Sequence, residues 1–305
     1  MPVNAPDLPL VSILINNYNY ARFIDEAIDS ALAQDYTHVE VIVVDDGSTD
    51  DSRARIAAFE GRVTAVFQSN SGQAAAFNAG FAASRGAIVC LLDADDRFRP
   101  EKVAAIVAEY QAHPLAEWCF HPLAFFGDRT TEPTAGQFPA GVDIDVRAEM
   151  RRGKLRLTAP ATSGLTFRRP LLAKLLPMPT EIRITSDNYL KFASLGTSPG
   201  VLMRTELAQQ RIHASNAYTL RWGASSLRGE IAMMTAVYLR TQFPNLRRFA
   251  NGLFARGASR HVWNLFTDRR IRRLTGCYVQ ELSVPERLEL FGRTLFNIVR
   301  NLVAP

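Results

Sequence analysis

The stretch Ile88-Val89-Cys90-Leu91-Leu92-Asp93-Ala94-Asp95-Asp96 passes from five apolar residues directly into three carboxylates. Five apolar residues suit a buried strand and are too few for a core helix. Carboxylates crowded at its end repel one another unless a cation or hydrogen-bond donors offset the charge. Two readings follow, a metal site and a solvated turn, and Asp is common enough in turns that the motif by itself does not choose. Asp93 and Asp95 lie two apart, so on extended backbone both point to one side. Their oxygens suit Mg²⁺ or Mn²⁺, with positions left for water and phosphate.

Around this strand, short apolar runs alternate with Ala-rich amphipathic ones. Strands are predicted over residues 10–15, 39–44, 63–68 and 87–92, and helices over 22–33, 50–59, 74–84 and 101–111. Such alternation predicts an α/β fold with a mainly parallel sheet flanked by helices, whose ligands bind beyond the carboxyl ends of the strands. Three polar clusters fall at those ends: Asn16-Asn17-Tyr18-Asn19, Asp45-Asp46-Gly47-Ser48 and Asp93 to Asp96. Helix capping accounts for Ser48-Thr49-Asp50 but not for Asp45-Asp46, one of which can accept a hydrogen bond from a base or ribose. Over 118–166 the pattern weakens, and the Gly- and Pro-bearing stretch 127–141 predicts a mobile loop. A helix is expected over 187–194 and several amphipathic ones after residue 221. The last of them is marked by the capping-box spacing of Ser283 and Glu286 and by Leu288, Phe291, Leu295, Ile298 and Leu302 at helical intervals.

The 305 residues, 47% apolar and 21% charged, are of globular composition. No apolar run is long enough to span a bilayer, and the opening MPVNAPDLPL has no basic leader, so a cytoplasmic chain is expected. Cys90, Cys119 and Cys277 are too far apart for a CxxC site and read as free thiols. Residues 221–305 hold 14 arginines, no lysine and 5 acids, a surplus of +9 against +5 for the whole chain, so the first 220 residues carry −4. That asymmetry points the C-terminal quarter at an anionic membrane face, or else leaves its apolar stripes to pack on the catalytic domain or in a homodimer. Nucleic acid is disfavoured, because no binding motif appears and few aromatics alternate with the basic residues.

Six segments in order carry a resemblance: VSILINNYNY (11–20), VIVVDDGSTDDS (41–52), NSGQAAAFNAGF (70–81), LLDADD (91–96), SDNYLKFA (186–193) and QRIHASN (210–216). Together they resemble family 2 glycosyltransferases, inverting enzymes of GT-A fold, over about residues 9–217. The resemblance implies that 1–220 is the transferase domain, with 1–98 the nucleotide-sugar half and 99–220 the acceptor half, followed by the basic helical region 221–305. It implies a nucleoside-diphospho-sugar donor, UDP by family frequency, and a glycan or lipid-linked hydroxyl acceptor in bacterial surface polysaccharide or glycolipid synthesis. Tyr18 would stack on the base and Asp46 would hydrogen-bond base or ribose. Asp93 and Asp95 would bind the diphosphate through a divalent metal, Mg²⁺ or Mn²⁺. Asn78 would line the sugar pocket, His213 would sit near the diphosphate, and Asp187 would be the base that deprotonates the acceptor. The chain departs from the family pattern at Asn16-Asn17, where Pro-Thr is common, at Phe77, where Arg precedes the Asn, and at Ser186, where Glu precedes the Asp.

Two other function classes fit part of the pattern. A phosphoacceptor receiver domain also ends strands in Asp, but it needs a Lys at the end of a further strand, and no apolar run soon after Asp96 supplies one. A silent nucleotide-binding module would leave the complete acidic motifs unexplained. Neither GxGxxG nor GxxxxGK[ST] occurs, which disfavours a nucleotidyltransferase.

Overall fold

A computed structural model of the chain describes residues 8–127, 142–214, 216, 225–262 and 267–303. The loop expected over 127–141 lies outside the described residues from 128 onward. The strands are β1 (Val11–Asn17), β2 (Val39–Asp46), β3 (Thr64–Gln68), β4 (Ile88–Asp93), β5 (Arg97–Phe98), β6 (Trp118–Phe120), β7 (Leu123–Gly127), β8 (Val142–Ile144), β9 (Leu165–Arg168), β10 (Gly200–Leu202) and β11 (Ala208–Ile212). The helices are α1 (Ile24–Leu32), α2 (Ser52–Ala57), α3 (Gln73–Ala83), α4 (Lys102–Ala112), α5 (Arg147–Arg151), α6 (Arg169–Leu175), α7 (Asp187–Thr197), α8 (Ser225–Gln242), α9 (Arg247–Ala258), α10 (Arg269–Gln280) and α11 (Val284–Val303). They form two compact units, one of residues 1–145, 157–183 and 197–214, the other of 146–156, 184–196 and 215–305.

The first unit is a mixed sheet in the order β3-β2-β1-β4-β9-β6-β10-β8. β3, β2, β1 and β4 run parallel, as the βα alternation requires, while β9 enters antiparallel between β4 and β6. A smaller sheet, β5-β11-β7, brings the segment before His213 beside the one after Asp96. Every residue of β1 is buried. Ile13, Ile15, Val43 and Leu92 pack with Ile24, Ala27, Ile28 and Ala31 of α1, whose spacing of three and four makes one apolar face. Truncating one of these isoleucines to Ala would cost about 2–5 kcal/mol. On the other face α3 approaches Leu14 and Val44 closely at Gly80, where a Cβ would stand 3.2 Å from the Val44 Cγ2.

Three strands continue one or two residues beyond their predicted ends, to Asn17, Asp46 and Asp93. Asn17 bonds Asp45 and Asp46 bonds Gln68 across neighbouring strands, and the backbone pairing runs on past the end of the apolar run. Asn17 lies opposite Asp45 and Asn16 opposite Asp93. The weakly patterned 118–166 region supplies β6 to β9, strands of three to five residues. Strands that short show too few alternations to register as periodic.

In the second unit, α9 packs against α8, α11 and α5. The rings of Phe254 and Tyr278 stack at 3.9 Å, joining α9 to α10. At the start of α11 the Glu286 carboxylate accepts from the Ser283 backbone N–H at 3.0 Å and takes both terminal nitrogens of Arg240 from α8, at 2.8 and 3.1 Å. That guanidinium, the first cause, holds the Glu286 carboxyl down at about 2. Among the described residues no helix is long and apolar enough to cross a membrane.

Candidate active site

The site is built where β1, β2 and β4 end. Asp45, fully buried, organises the turn that follows it: its Oδ1 accepts from Asn17 Nδ2 at 2.8 Å and from Ser48 Oγ at 2.5 Å, and its Oδ2 from the Ser48 N–H at 3.1 Å. Gly47 takes φ +75° there, and a Cβ on it would fall 2.5 Å from the Asn70 nitrogen, so only glycine fits. Asn19 ties the first two loops together, its Oδ1 accepting from the Thr49 N–H at 2.8 Å and its own N–H donating to Ser48 Oγ at 2.9 Å. Between these bonds Tyr18 projects outward, with 46% of its surface exposed.

Asp46 is more committed than the sequence suggests. Its Oδ1 accepts from Gln68 Nε2 at 2.6 Å and the Ser71 N–H at 2.8 Å, and its Oδ2 from the Gly72 N–H at 2.7 Å. A carboxylate offers about four acceptor positions, so about one remains for a ligand. Asn78 is likewise engaged: its amide clamps the Met178 backbone at both ends, donating at 2.9 Å and accepting at 2.8 Å.

The three aspartates of the opening motif divide into two kinds. Asp96 points inward, where its carboxylate accepts from Ser163 Oγ at 2.6 Å and from the Arg211 N–H at 2.9 Å. Burial first, and then the neighbouring Asp95 and Asp93, push its carboxyl well above the usual range. Asp95 meets His213, whose Nε2 lies 3.0 Å from its Oδ2. The His213 ring rests on Phe23, with centroids 4.6 Å apart, and edge-on to Tyr20. Asp93, half-buried, has Gln73 Nε2 at 3.5 Å from its Oδ1.

Of the supports of this corner, sequence reasoning reached Arg211, through the Arg-x-His element that the resemblance implies near the diphosphate, and missed Tyr20 and Lys102. Tyr20 hydrogen-bonds Asp95, and its phenol is raised by burial first and then by the three aspartates. Arg211 donates from Nε to the Asp95 carbonyl at 3.0 Å and pairs with Glu26, which also holds Arg97. Lys102 is fully buried, with its Nζ donating to the Ser163 carbonyl at 2.8 Å and lying over the Phe98 ring. Loss of hydration is the first reason its ammonium is lowered to about 7. The second tyrosine of NNYNY and the Arg of RIH were the only sequence signals for these groups; nothing marked Lys102.

The accumulated carboxylates and the half-open position of Asp93 fit a hard divalent cation. Among the described residues no three His, Cys, Asp or Glu side chains stand close enough to enclose one. An ion held by Asp93 and Asp95 would therefore take its remaining positions from water and ligand phosphates.

In the second unit Asp187 is the first residue of α7, buried to 5% exposure. Lys191, one turn on, places its Nζ 2.9 Å from the Asp187 Oδ2. A carboxylate at a helix N-terminus is favoured by the helix dipole, a structural reason for an acid there beside any chemical one.

A family model described as Glycosyl transferase family 2 matches residues 12–176. An uncharacterized glycosyltransferase of Nostoc sp. is 36% identical over 222 residues, which make up 71% of this chain and 69% of that protein. Among solved structures, Staphylococcus aureus TarS in complex with UDP aligns with a TM-score of 0.61 at 16% identity, over 96% of this chain and 82% of that one. The mannosyltransferase PcManGT of Pyrobaculum calidifontis, in complex with GDP-Man and Mn²⁺, aligns with a TM-score of 0.51 at 18% identity, over 97% and 87%.

Proposed function

The chain belongs to glycosyl transferase family 2, as a glycosyltransferase of GT-A fold, and on that premise we propose that it inverts the anomeric centre of a nucleoside-diphospho-sugar while passing the sugar to a hydroxyl acceptor. The observation that carries this reading is the pairing of Asp95 with His213 just past the end of β4, with Tyr18 exposed just past the end of the neighbouring β1. The donor's base stacks on Tyr18 and uses the remaining acceptor position of Asp46. Asp93 and Asp95 hold Mg²⁺ or Mn²⁺, and such an ion, when bound, neutralises charge on the leaving diphosphate. UDP is the nucleotide we favour, and TarS, a structural neighbour, was solved with it. His213 positions Asp95 and borders the diphosphate. Asn78, with its amide clamped to Met178, acts on the sugar pocket by holding that backbone in place.

Asp187 takes the acceptor's proton. The acceptor oxygen forms its bond to the anomeric carbon on the face opposite the diphosphate, and the carbon–oxygen bond to the diphosphate breaks with its electron pair on the leaving group. We assign the acceptor to a glycan or lipid-linked sugar of bacterial surface polysaccharide or glycolipid. The enzyme would then work at the cytoplasmic face of the membrane, meeting anionic lipid through α11. Along that helix Val284, Leu288, Phe291, Leu295 and Val299 are exposed at spacings of three and four among arginines, which is the pattern of an interfacial helix.

Hydrolysis of a panel of nucleotide sugars, with Mg²⁺, Mn²⁺ or EDTA, tests the donor. Turnover of one nucleotide class, dependent on the metal and absent in Asp95→Ala, is expected. Equal inertness toward every donor would overturn the site assignment. Co-sedimentation with vesicles tests the membrane reading: binding to anionic vesicles at low salt should fade at high salt and fall on deletion of residues 283–305. Recovery that ignores vesicle charge would leave packing or dimerisation as the role of α11.

A further inference from the structure

A second polar site lies wholly within the helical unit. A hollow of about 340 Å³, at the lower end of the ~300–1,000 Å³ range of ligand pockets, is lined by Gly153, Gly252, Gly292, Arg256, Arg293 and Arg300, with Asn297 and the rings of Phe249 and Phe296. The hollow exists because three elements present glycine to it. A Cβ on Gly252 would stand 2.7 Å from Arg293 Nη1, and Gly153, at φ +78°, leaves the other side of that guanidinium room at 3.1 Å.

Its charge is unbalanced. Arg293 is held by Glu289, its Nη2 2.7 Å from the carboxylate, which is the only acid bonded to any lining residue among those described. Arg256 and Arg300 have no carboxylate partner among the described residues, nor has Arg260 close by. Arg256 is lowered by loss of hydration first and then by Arg300, Arg260 and Arg293 in turn. Because the Arg256 side chain still reaches solvent, the mutual repulsion is the part of that shift that bears on a ligand. Asn297 lines the same hollow with 8% of its surface exposed. Three guanidiniums gathered round one carboxylate repel one another at a cost in free energy. A single multiply charged oxyanion would relieve that repulsion. Planar guanidinium forks match tetrahedral phosphate oxygens, the amide N–H₂ supplies a further donor, and a surplus of charge above +1 favours a dianion over a carboxylate.

We propose that this hollow binds a phosphate-type oxyanion, a phosphomonoester or diphosphate, through Arg256, Arg293, Arg300 and Asn297. The site is separate from the Asp93–Asp95 corner and requires neither the metal nor the transfer reaction. Phosphate of this kind comes from a free small molecule or from the headgroup of an anionic lipid, and Phe296, exposed at the rim, suits either.

The experiment uses the full chain with EDTA present, which removes any metal-dependent diphosphate binding elsewhere. Calorimetric titration with pyrophosphate is set beside sedimentation with vesicles containing phosphatidic acid. Loss of two charge-assisted contacts in Arg256→Gln/Arg300→Gln should weaken whichever ligand binds by about tenfold or more. Arg273→Gln on exposed α10, which lowers the charge of the same unit elsewhere, should leave it unchanged. Binding of pyrophosphate that the double variant loses assigns a soluble ligand. Binding of phosphatidic acid vesicles alone, lost in the double variant, assigns a lipid headgroup. Circular dichroism of the double variant confirms that a loss is not unfolding, and Asn297→Leu, removing no charge, should weaken the same ligand to a lesser degree. If neither ligand binds, or if the double variant and Arg273→Gln behave alike, the site is not there.

Discussion

The acidic corner of the sheet and the arginine hollow of the helical unit handle like charge in opposite ways. At the corner each carboxylate has a named partner: Asp45 has Asn17 and Ser48, Asp46 has Gln68, Ser71 and Gly72, Asp96 has Ser163 and Arg211, Asp95 has His213, and Asp93 has Gln73. In the hollow one glutamate pairs with Arg293 and leaves Arg256 and Arg300 without a carboxylate among the described residues. The difference separates charge used to build a loop from charge left for something else to neutralise. Counting acids or arginines in the sequence cannot make that separation; counting their partners can.

The largest expected effect separates the proposed base in the second unit from the acids of the corner. Asp187→Asn should lower transfer by about 10²–10⁴-fold, the usual worth of a placed base, while nucleotide binding is retained in calorimetry. Asp95→Ala should instead lose metal-dependent nucleotide binding together with transfer. A parent rate for Asp187→Asn would move the base elsewhere.

Next comes stability within the same motif. Asp96→Ala leaves the Ser163 hydroxyl and the Arg211 N–H without an acceptor and should cost about 1–3 kcal/mol in denaturant unfolding. Asp96→Asn should cost less, since the carboxyl is already pushed toward its neutral form and an amide oxygen can still accept. Equal loss in the two variants would show that charge, not acceptance, is what this position supplies.

Lys102 sharpens the comparison from the cationic side, because it is a single buried ammonium with its charge suppressed rather than shared. Its folded pKa of about 7 lies below the ordinary lysine value of 10.5, so between those values the unfolded chain binds the extra proton and stability rises with pH. The slope from this one group is at most about 1.4 kcal/mol per pH unit. Unfolding from pH 7 to 8.5 should therefore steepen in the parent relative to Lys102→Met. Parallel curves would place the ammonium in contact with water.

The smallest effect lies at the cap of α11. Glu286 is held at about 2 against an ordinary glutamate value of 4.5, so its contribution is complete above 4.5 and fades as pH falls toward 2. Glu286→Gln should cost about 1 kcal/mol at neutral pH, and the gap to the parent should close in acid. A gap that persists at pH 2 would trace the loss to packing.

The parallel half of the sheet was legible because β1, β2 and β4 carry six to eight residues with near-continuous burial. β6, β8 and β10 have three residues each and take their place only from neighbours distant in sequence, which no local pattern encodes. The corner was legible as a set of residue types, Tyr18, Asp46, Asp93, Asp95 and His213, but not as a set of bonds. Asp46 reads identically whether its oxygens face a ligand or the Ser71 and Gly72 amides, and Asn78 whether it faces a sugar or the Met178 backbone. Lys102 was invisible because a lysine on a predicted helix reads as surface, and its burial depends on Phe98 and Ser163 arriving from elsewhere.

The antiparallel entry of β9 beside β4 sets an order on biosynthesis. β4 is complete at Asp93, but its second edge is covered only when Leu165–Arg168 arrives. At a synthesis rate of about 5–20 residues per second, that interval is about 4–15 s. Throughout it, Ile88 to Leu92 present an unpaired apolar edge of the kind that recruits other chains. Ribosome-bound chains halted before residue 165 should therefore engage holdase chaperones strongly, and chains halted well past residue 168 should release them.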